Sequence, residues 1–235
     1  MLYNFNLTKI LFCMGLMTWI KVEILVLLNR PASEKTAGIP RQIQDSYRKQ
    51  LRFSGKYVKW SNIMQIRNPN IRFAEYTDAE IIRHMMEIAV SRLPSRDWYL
   101  DDNIDYISRH TGGPEGYTLI WQDGCRSAAF LLIHHPGLSE ENLGRYLSLP
   151  DEELPAVSHM ESACVLPEYQ GRHILSQLLS EAALLEKGRG CRYLMATIHP
   201  DNLFSKNSHL RCGFEELMTV RKYGDWMRTI MVKRL

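Results

Sequence analysis

From residue 70 onward the apolar and polar positions change period several times, and each change marks an element. Ile71, Phe73 and Glu75 alternate with Arg72, Ala74 and Tyr76, the two-residue period of a short strand after the turn Asn68-Pro69-Asn70. Thr77-Asp78-Ala79-Glu80 fits a capping box, and Ile81, Ile82, Met85, Met86, Ile88 and Ala89 follow at helical spacing to about Val90. A second helical piece is predicted over Leu100 to His110, ended by Gly112-Gly113-Pro114. Two β-rich runs, Tyr117–Gln122 and Ser127–Ile133, are joined by the hairpin signal Asp123-Gly124. The polar stretch 137–158, with Glu140, Glu141, Asp151, Glu152 and Glu153, reads as one or two short helices over a cleft.

His159–Leu166 is the next strand and stops at Pro167. Ile174, Leu175, Leu178, Leu179, Ala182, Ala183 and Leu185 then form one apolar helix face, closed by Gly188 and Gly190. Tyr193–Ile198 reads as a strand, Leu203–Arg211 as a short helix, and Glu216–Val220 with Met227–Lys233 as a closing hairpin. The order β-α-α-β-β-β-α-β-α-β-β is that of a mixed α/β single domain, with no internal repeat.

The first seventy residues follow another pattern. Ile10 to Ile20 is an apolar run that Lys21 and Glu23 interrupt before Ile24–Leu28 resumes. A membrane span wants roughly twenty apolar residues, and there is no small-x-small cleavage site before Pro31. Residues 1–30 are therefore read as an apolar segment, either a helix or sequence added by an early start codon, and residues 31–69 as a basic linker or arm. Arg41 to Lys59 interleaves basic residues with Tyr47, Phe53 and Tyr57, followed by Trp60. That mixture suits either an amphipathic helix packed on the main body or a tether to an anionic surface.

Composition adds boundaries. At 235 residues, with 45% hydrophobic and 23% charged positions, the chain can bury a core without disulfides or metal. Five cysteines at 13, 125, 164, 191 and 212 include no CxxC pair, which points to a reducing, cytoplasmic compartment. Cys191, His199, His209 and Cys212 lack the paired spacing of a zinc site, so no metal is expected. The net charge of +3 divides unevenly: residues 1–70 carry +8 and residues 71–235 carry −5. An acidic body favours a cationic substrate in any cleft and disfavours nucleic acid there. Membrane partners are not expected for that body, and a homodimer is compatible with it.

The segment from Val165 to Ile174 carries the first chemical signal. It joins a strand to an amphipathic helix and, from Gln170 on, holds no acid. Helix-start N–H groups and the helix dipole there form a place for phosphate, and Gly171 allows close approach. The GK[ST] ending of a Walker loop is absent, as is GxGxxG.

Glu168-Tyr169-Gln170-Gly171-Arg172-His173 resembles the pyrophosphate loop, Q/R-x-x-G-x-G/A, of the GNAT superfamily of acyl-CoA-dependent N-acetyltransferases. Glu168 stands where Arg or Gln is usual, and His173 where Gly or Ala is usual. Thr197-Ile198-His199-Pro200-Asp201-Asn202, Ser205 and Cys212-Gly213-Phe214 resemble the family's V-x-P-x-N…S…G-F block. The resemblance covers about residues 70–235 and implies a mostly antiparallel mixed sheet with a splayed parallel strand pair and flanking helices. It also implies acetyl-CoA as co-substrate, its pantetheine arm lying between His159–Leu166 and Tyr193–Ile198. Gln170, Gly171, Arg172 and His173 would hold the pyrophosphate, Asn202 and Ser205 the arm, and a backbone N–H of Cys164 or Val165 the thioester oxygen.

The implied reaction is direct attack of an amine, from a small molecule or a peptide, on the thioester within a ternary complex. Strand alternation places His159, Glu161, Ala163 and Val165 on one face. Glu161 is the candidate base, with His159 its rival. His209 stands where the family often has its acid, Tyr, four residues before G-F, and Tyr223 is a further candidate. Cys164 reads as a core thiol rather than a nucleophile. Two alternatives come from other classes: a catalytically degenerate CoA or acyl-CoA-binding module, and a chain whose basic arm is the working part.

Overall fold

The computed structural model describes residues 66–111 and 115–235. The expectations for residues 1–30 and for most of 31–69 lie outside the described residues. Strand β1 (Ile71–Phe73) begins after the Asn68 turn and leads to helix α1 (Ala79–Ser91). Ile82, Met85 and Met86 form the buried face of α1, whereas Ile81 stays exposed. The expected capping box at Thr77 and Glu80 does not form. Asp78 takes over, accepting the Glu75 N–H at 2.7 Å and both Arg72 guanidinium nitrogens at 2.6 and 2.7 Å. Glu80 instead receives Arg83 at 3.0 Å.

Helix α2 (Ile104–Arg109) is shorter than its apolar pattern suggested, because Asn103 caps it by accepting the Tyr106 N–H. Strands β2 (Gly116–Asp123) and β3 (Arg126–His134) form the expected hairpin, followed by β4 (Val157–Val165). Helix α3 (Ile174–Arg189), strand β5 (Tyr193–Ile198) and helix α4 (Leu203–Arg211) come next, and β6 (Glu215–Lys222) and β7 (Trp226–Arg234) close the chain. Among the described residues seven strands lie in the order β1-β2-β3-β4-β5-β7-β6, antiparallel throughout except for the parallel pair β4–β5. The expected mixed, mostly antiparallel sheet with flanking helices is what the chain forms.

Side-chain contacts assign the faces. Ser158 donates to Glu186 of α3 at 2.5 Å, so α3 covers one face. Cys164 reaches the Met85 carbonyl of α1 at 3.3 Å and Ser162 reaches Asp102 at 2.6 Å, so α1 and its following loop cover the other. The stretch 137–158 forms two 3-10 turns, Leu143–Leu147 and Leu154–Ala156. Leu143 packs with Val157, Met195, Ile230 and Val232 in a second small core on the α1 face. Contrary to expectation this stretch covers no part of the large cleft described below, because its apolar residues anchor it to β4, β5 and β7.

The alternation expected along β4 is also broken. Ser162 pairs with Leu132 but Met160 pairs with Ile133, leaving Glu161 as the extra residue of a β-bulge. Beyond the bulge the faces exchange: Ala163 and Val165 turn to the α3 face, and His159, Ser162 and Cys164 share the α1 face.

Candidate active site

The parallel pair β4–β5 is in register only over Val157–His159 and Tyr193–Met195. From Met160 and Ala196 onward the two strands diverge, and residues Met160–Val165 and Ala196–Ile198 line a cleft of about 1100 Å³. The bulge at Glu161 marks where pairing ends. Because the gap interrupts the sheet, it joins the α3 face to the α1 face.

The gap exposes backbone groups in a definite order. Leu166 N–H donates to Ala128 O at 2.9 Å, so Leu166 and, by alternation, Cys164 turn their N–H groups to β3. Ala163 and Val165 turn theirs into the gap. Of the two N–H groups expected at the thioester oxygen, that of Val165 faces the gap and that of Cys164 does not. The Cys164 thiol is buried, which pushes its pKa up to about 12 and keeps it protonated.

The loop after β4 makes a 3-10 turn over Pro167–Tyr169 and enters α3 through two left-handed residues, Gly171 (φ 79°) and His173 (φ 57°). A Cβ at Gly171 would meet no atom of the described residues within 4 Å, so they leave open space at that point. Gln170, Gly171 and His173 line the cleft beside the α3 N-terminus, whose first-turn N–H groups have no intrahelical acceptor. Arg172 does not join them. Its guanidinium lies over the ring of Tyr169 at 5.0 Å, and it is Tyr169 that lines the cleft. Glu168 is matched by an ion pair with Arg126, which compensates for the acid in this loop.

Asn202 caps α4, its Oδ1 accepting the Ser205 N–H at 3.1 Å, and both residues line the cleft. The Asn202 amide nitrogen is left available on the same wall. His209 Nδ1 lies 2.9 Å from the Ser205 carbonyl, which only accepts, so Nδ1 carries the proton. Its Nε2 is buried without a partner among the described residues, and burial lowers the imidazole pKa to about 4. A general acid needs the imidazolium, which this environment disfavours at neutral pH.

Glu161 faces the cleft with its side chain 26% exposed, and its Oε2 lies 3.4 Å from His159 Nδ1. His159 Nε2 accepts the Leu143 N–H at 3.0 Å, so this nitrogen holds a lone pair and Nδ1 holds the hydrogen. The ring is 4% exposed and both nitrogens are committed, which removes His159 as a base and makes it a support for Glu161. Burial pushes the Glu161 carboxyl up, but the His159 hydrogen bond and the imidazoles of His159, His134 and His110 outweigh it and hold it below its usual value. His110 Nε2 contacts His134 Nδ1 at 2.9 Å, extending this imidazole cluster.

Tyr223 lines the cleft from the β6–β7 turn, its hydroxyl 3.3 Å from Thr197 Oγ1. Burial, reinforced by the Glu161 charge, raises its pKa, so the phenol stays protonated. Residues that sequence reasoning missed complete the wall: Tyr99, Asp102, Ser162 and Arg228. Burial pushes the Asp102 carboxyl up to about 6, against the opposing Ser162 hydrogen bond. Neither Asp102, in an irregular loop, nor Arg228, in an apolar strand, carries a periodic or motif signal.

A family model for the acetyltransferase (GNAT) family matches residues 80–214, which is 135 of the 235 residues. The chain belongs to the GNAT acetyltransferase family. Solved structures agree on the GNAT fold. An N-acetyltransferase from Staphylococcus aureus Mu50 has a TM-score of 0.53 at 19% identity, over 70% of this chain and 96% of that one. The putative acetyltransferase yncA from Salmonella typhimurium, solved with its cofactor acetyl-CoA, gives 0.51 at 23%, over 70% and 92%. The aminoglycoside acetyltransferase AAC(6')-Ib, in complex with coenzyme A and kanamycin, gives 0.53 at 14%, over 70% and 94%. No curated protein sequence matches the chain. Among the described residues of this GNAT chain no group of three or more His, Cys, Asp and Glu could hold a metal ion, and no helix is long and apolar enough to cross a membrane.

Proposed function

We propose that the chain is an acetyl-CoA-dependent N-acetyltransferase that transfers an acetyl group to a primary amine by direct attack, with residues 70–235 as the working unit and the cytoplasm as its location. The observation that carries this reading is the gap between β4 and β5, with an ionised carboxylate at its bulge and a left-handed glycine loop at its far end. Relatives of the same fold that were solved with acetyl-CoA, or with coenzyme A and an aminoglycoside, support it.

The gap suits acetyl-CoA. The Ala163 N–H matches a pantetheine arm, as strand backbone seeking partners does, and leaves the Val165 N–H for the thioester. The amides of Gly171 and His173 with the α3 N-terminus suit the pyrophosphate. Asn202 offers its amide nitrogen to the arm, Ser205 lies beside it, and His209 Nε2 is an acceptor for an N–H on the arm. Acetyl-CoA supplies an acyl carbon activated by its thiol leaving group.

Glu161 and Asp102 receive the amine at the α1-face end of the gap, where an ammonium first loses one proton to solvent so that the neutral nitrogen attacks. As the nitrogen bonds to the acyl carbon its N–H acidity rises steeply, and the proton passes to the Glu161 carboxylate. The Val165 N–H donates to the acyl oxygen, where negative charge develops. When the C–S bond breaks, Tyr223 gives its phenolic proton to sulfur and regains one through solvent from Glu161. The balance is amine plus acetyl-CoA to acetylamide plus free thiol.

Glu161→Gln tests this assignment. The turnover number should fall by about 10²- to 10⁴-fold, with acetyl-CoA affinity unchanged by calorimetry. An unaltered turnover number would make Glu161 a structural residue.

A further inference from the structure

Arg228 is a buried cation on the cleft wall that the reaction above does not use. It is only 3% exposed. It lies on β7 two residues before Ile230, which pairs with Thr197, so Arg228 shares the α1 face of the sheet with Thr197. Its Nη1 donates to the Met227 carbonyl at 2.9 Å, and the guanidinium packs over the rings of Tyr223 at 5.6 Å and Trp226 at 5.3 Å. Nε and Nη2 have no hydrogen-bond acceptor, and no carboxylate comes within 4.0 Å of the group, among the described residues. Asp97, the acid whose charge acts on it, is held by His199 at 3.4 Å and does not line the cleft.

A buried guanidinium without a counter-ion is costly, and such groups are ordinarily paired. Its free edge has the forked geometry that matches a carboxylate. Tyr223 links this edge to the reacting end, because its ring covers Arg228 while its hydroxyl senses the Glu161 charge. The pocket thus presents a cation at one side and the carboxylates Glu161 and Asp102 at the other, the pattern complementary to a zwitterion.

We propose that Arg228 binds a carboxylate carried by the acceptor itself, so that the substrate is an amino-acid-like amine, its nitrogen toward Glu161 and Asp102 and its carboxylate on Arg228. This rests on the acetyltransferase reading and narrows the acceptor class.

The test offers the full chain acetyl-CoA with each of the common amino acids beside its carboxamide, and with carboxylate-free diamines. The best amino acid should exceed its amide in kcat/KM by at least about tenfold. Arg228→Gln should collapse that ratio toward one through the amino acid alone, and Arg228→Lys should restore part of it. Equal use of acid and amide, preference for diamines, or an equal loss for both substrates in Arg228→Gln overturns the inference and leaves the acetyltransferase reading standing. If none of these amines turns over, N-acetyl amino acids and their amides are titrated into the CoA-loaded chain while the Arg228 Nε–H resonance is followed. A shift with the acids only supports the inference, and no shift overturns it. Acetyl-CoA affinity by calorimetry reports separately on the parent reading.

Discussion

Gly171 offers a perturbation whose two components separate cleanly. Its backbone is left-handed at φ 79°, where a side chain costs about 1–2 kcal/mol. Space is not limiting, since a Cβ would meet nothing of the described residues within 4 Å. Gly171→Ala should therefore lower stability by about that amount and change acetyl-CoA affinity little. Gly171→Glu adds the same backbone cost and, in addition, a carboxylate where the pyrophosphate is proposed to rest. Two like charges at about 6 Å and an effective dielectric of about 40 each add about 1.4 kcal/mol, so affinity should fall about 100-fold. Calorimetric titration of acetyl-CoA into the three proteins, each checked for a cooperative thermal transition, measures both effects. If folded Gly171→Glu binds within threefold of the unsubstituted chain, the loop does not hold the pyrophosphate.

Two further predictions concern stability. His173 adopts a left-handed conformation at φ 57° where the family usually has Gly or Ala, so His173→Gly should raise stability by up to about 1 kcal/mol in denaturant titration. No gain would mean that the imidazole makes compensating interactions. Asp78 is held below its usual pKa chiefly by Arg72, with burial opposing and the Glu75 N–H assisting. Its contribution is present above the unfolded value near 3.9 and is lost as pH falls through the lower folded value. Asp78→Asn should thus cost about 1–2 kcal/mol at pH 7, discounted for the partly exposed Arg72, and the gap should close in strong acid. A gap that is independent of pH would refute the ionic account.

The element order was legible because punctuation and period agree along most of the chain. Pro200 to Asn202 and Gly213 bracket α4, and its bounds coincide with those read from the pattern. Boundaries shifted where a side chain intervened, as when Asn103 shortened α2 and the capping box formed between Glu75 and Asp78 instead of Thr77 and Glu80. The cleft lining was legible where it is local, at Gly171, Asn202 and Ser205. It was not legible where tertiary pairing decides. The bulge at Glu161 exists only against β3, and it changes which neighbours share a face. The choice between Cys164 and Val165 depends on hydrogen-bond alternation that a lone strand does not reveal. Arg172 stacks on the Tyr169 ring instead of lining the cleft itself, and His209 is neutral because the fold buries it.

The most direct test of the central claim is release of free thiol from acetyl-CoA by the full chain, followed with and without an amine panel and confirmed by the mass of the acetylated amine. The account predicts amine-dependent release with stoichiometric acetylamide. Saturable acetyl-CoA binding with no amine-dependent release from any amine would contradict it and leave a CoA-binding module in its place.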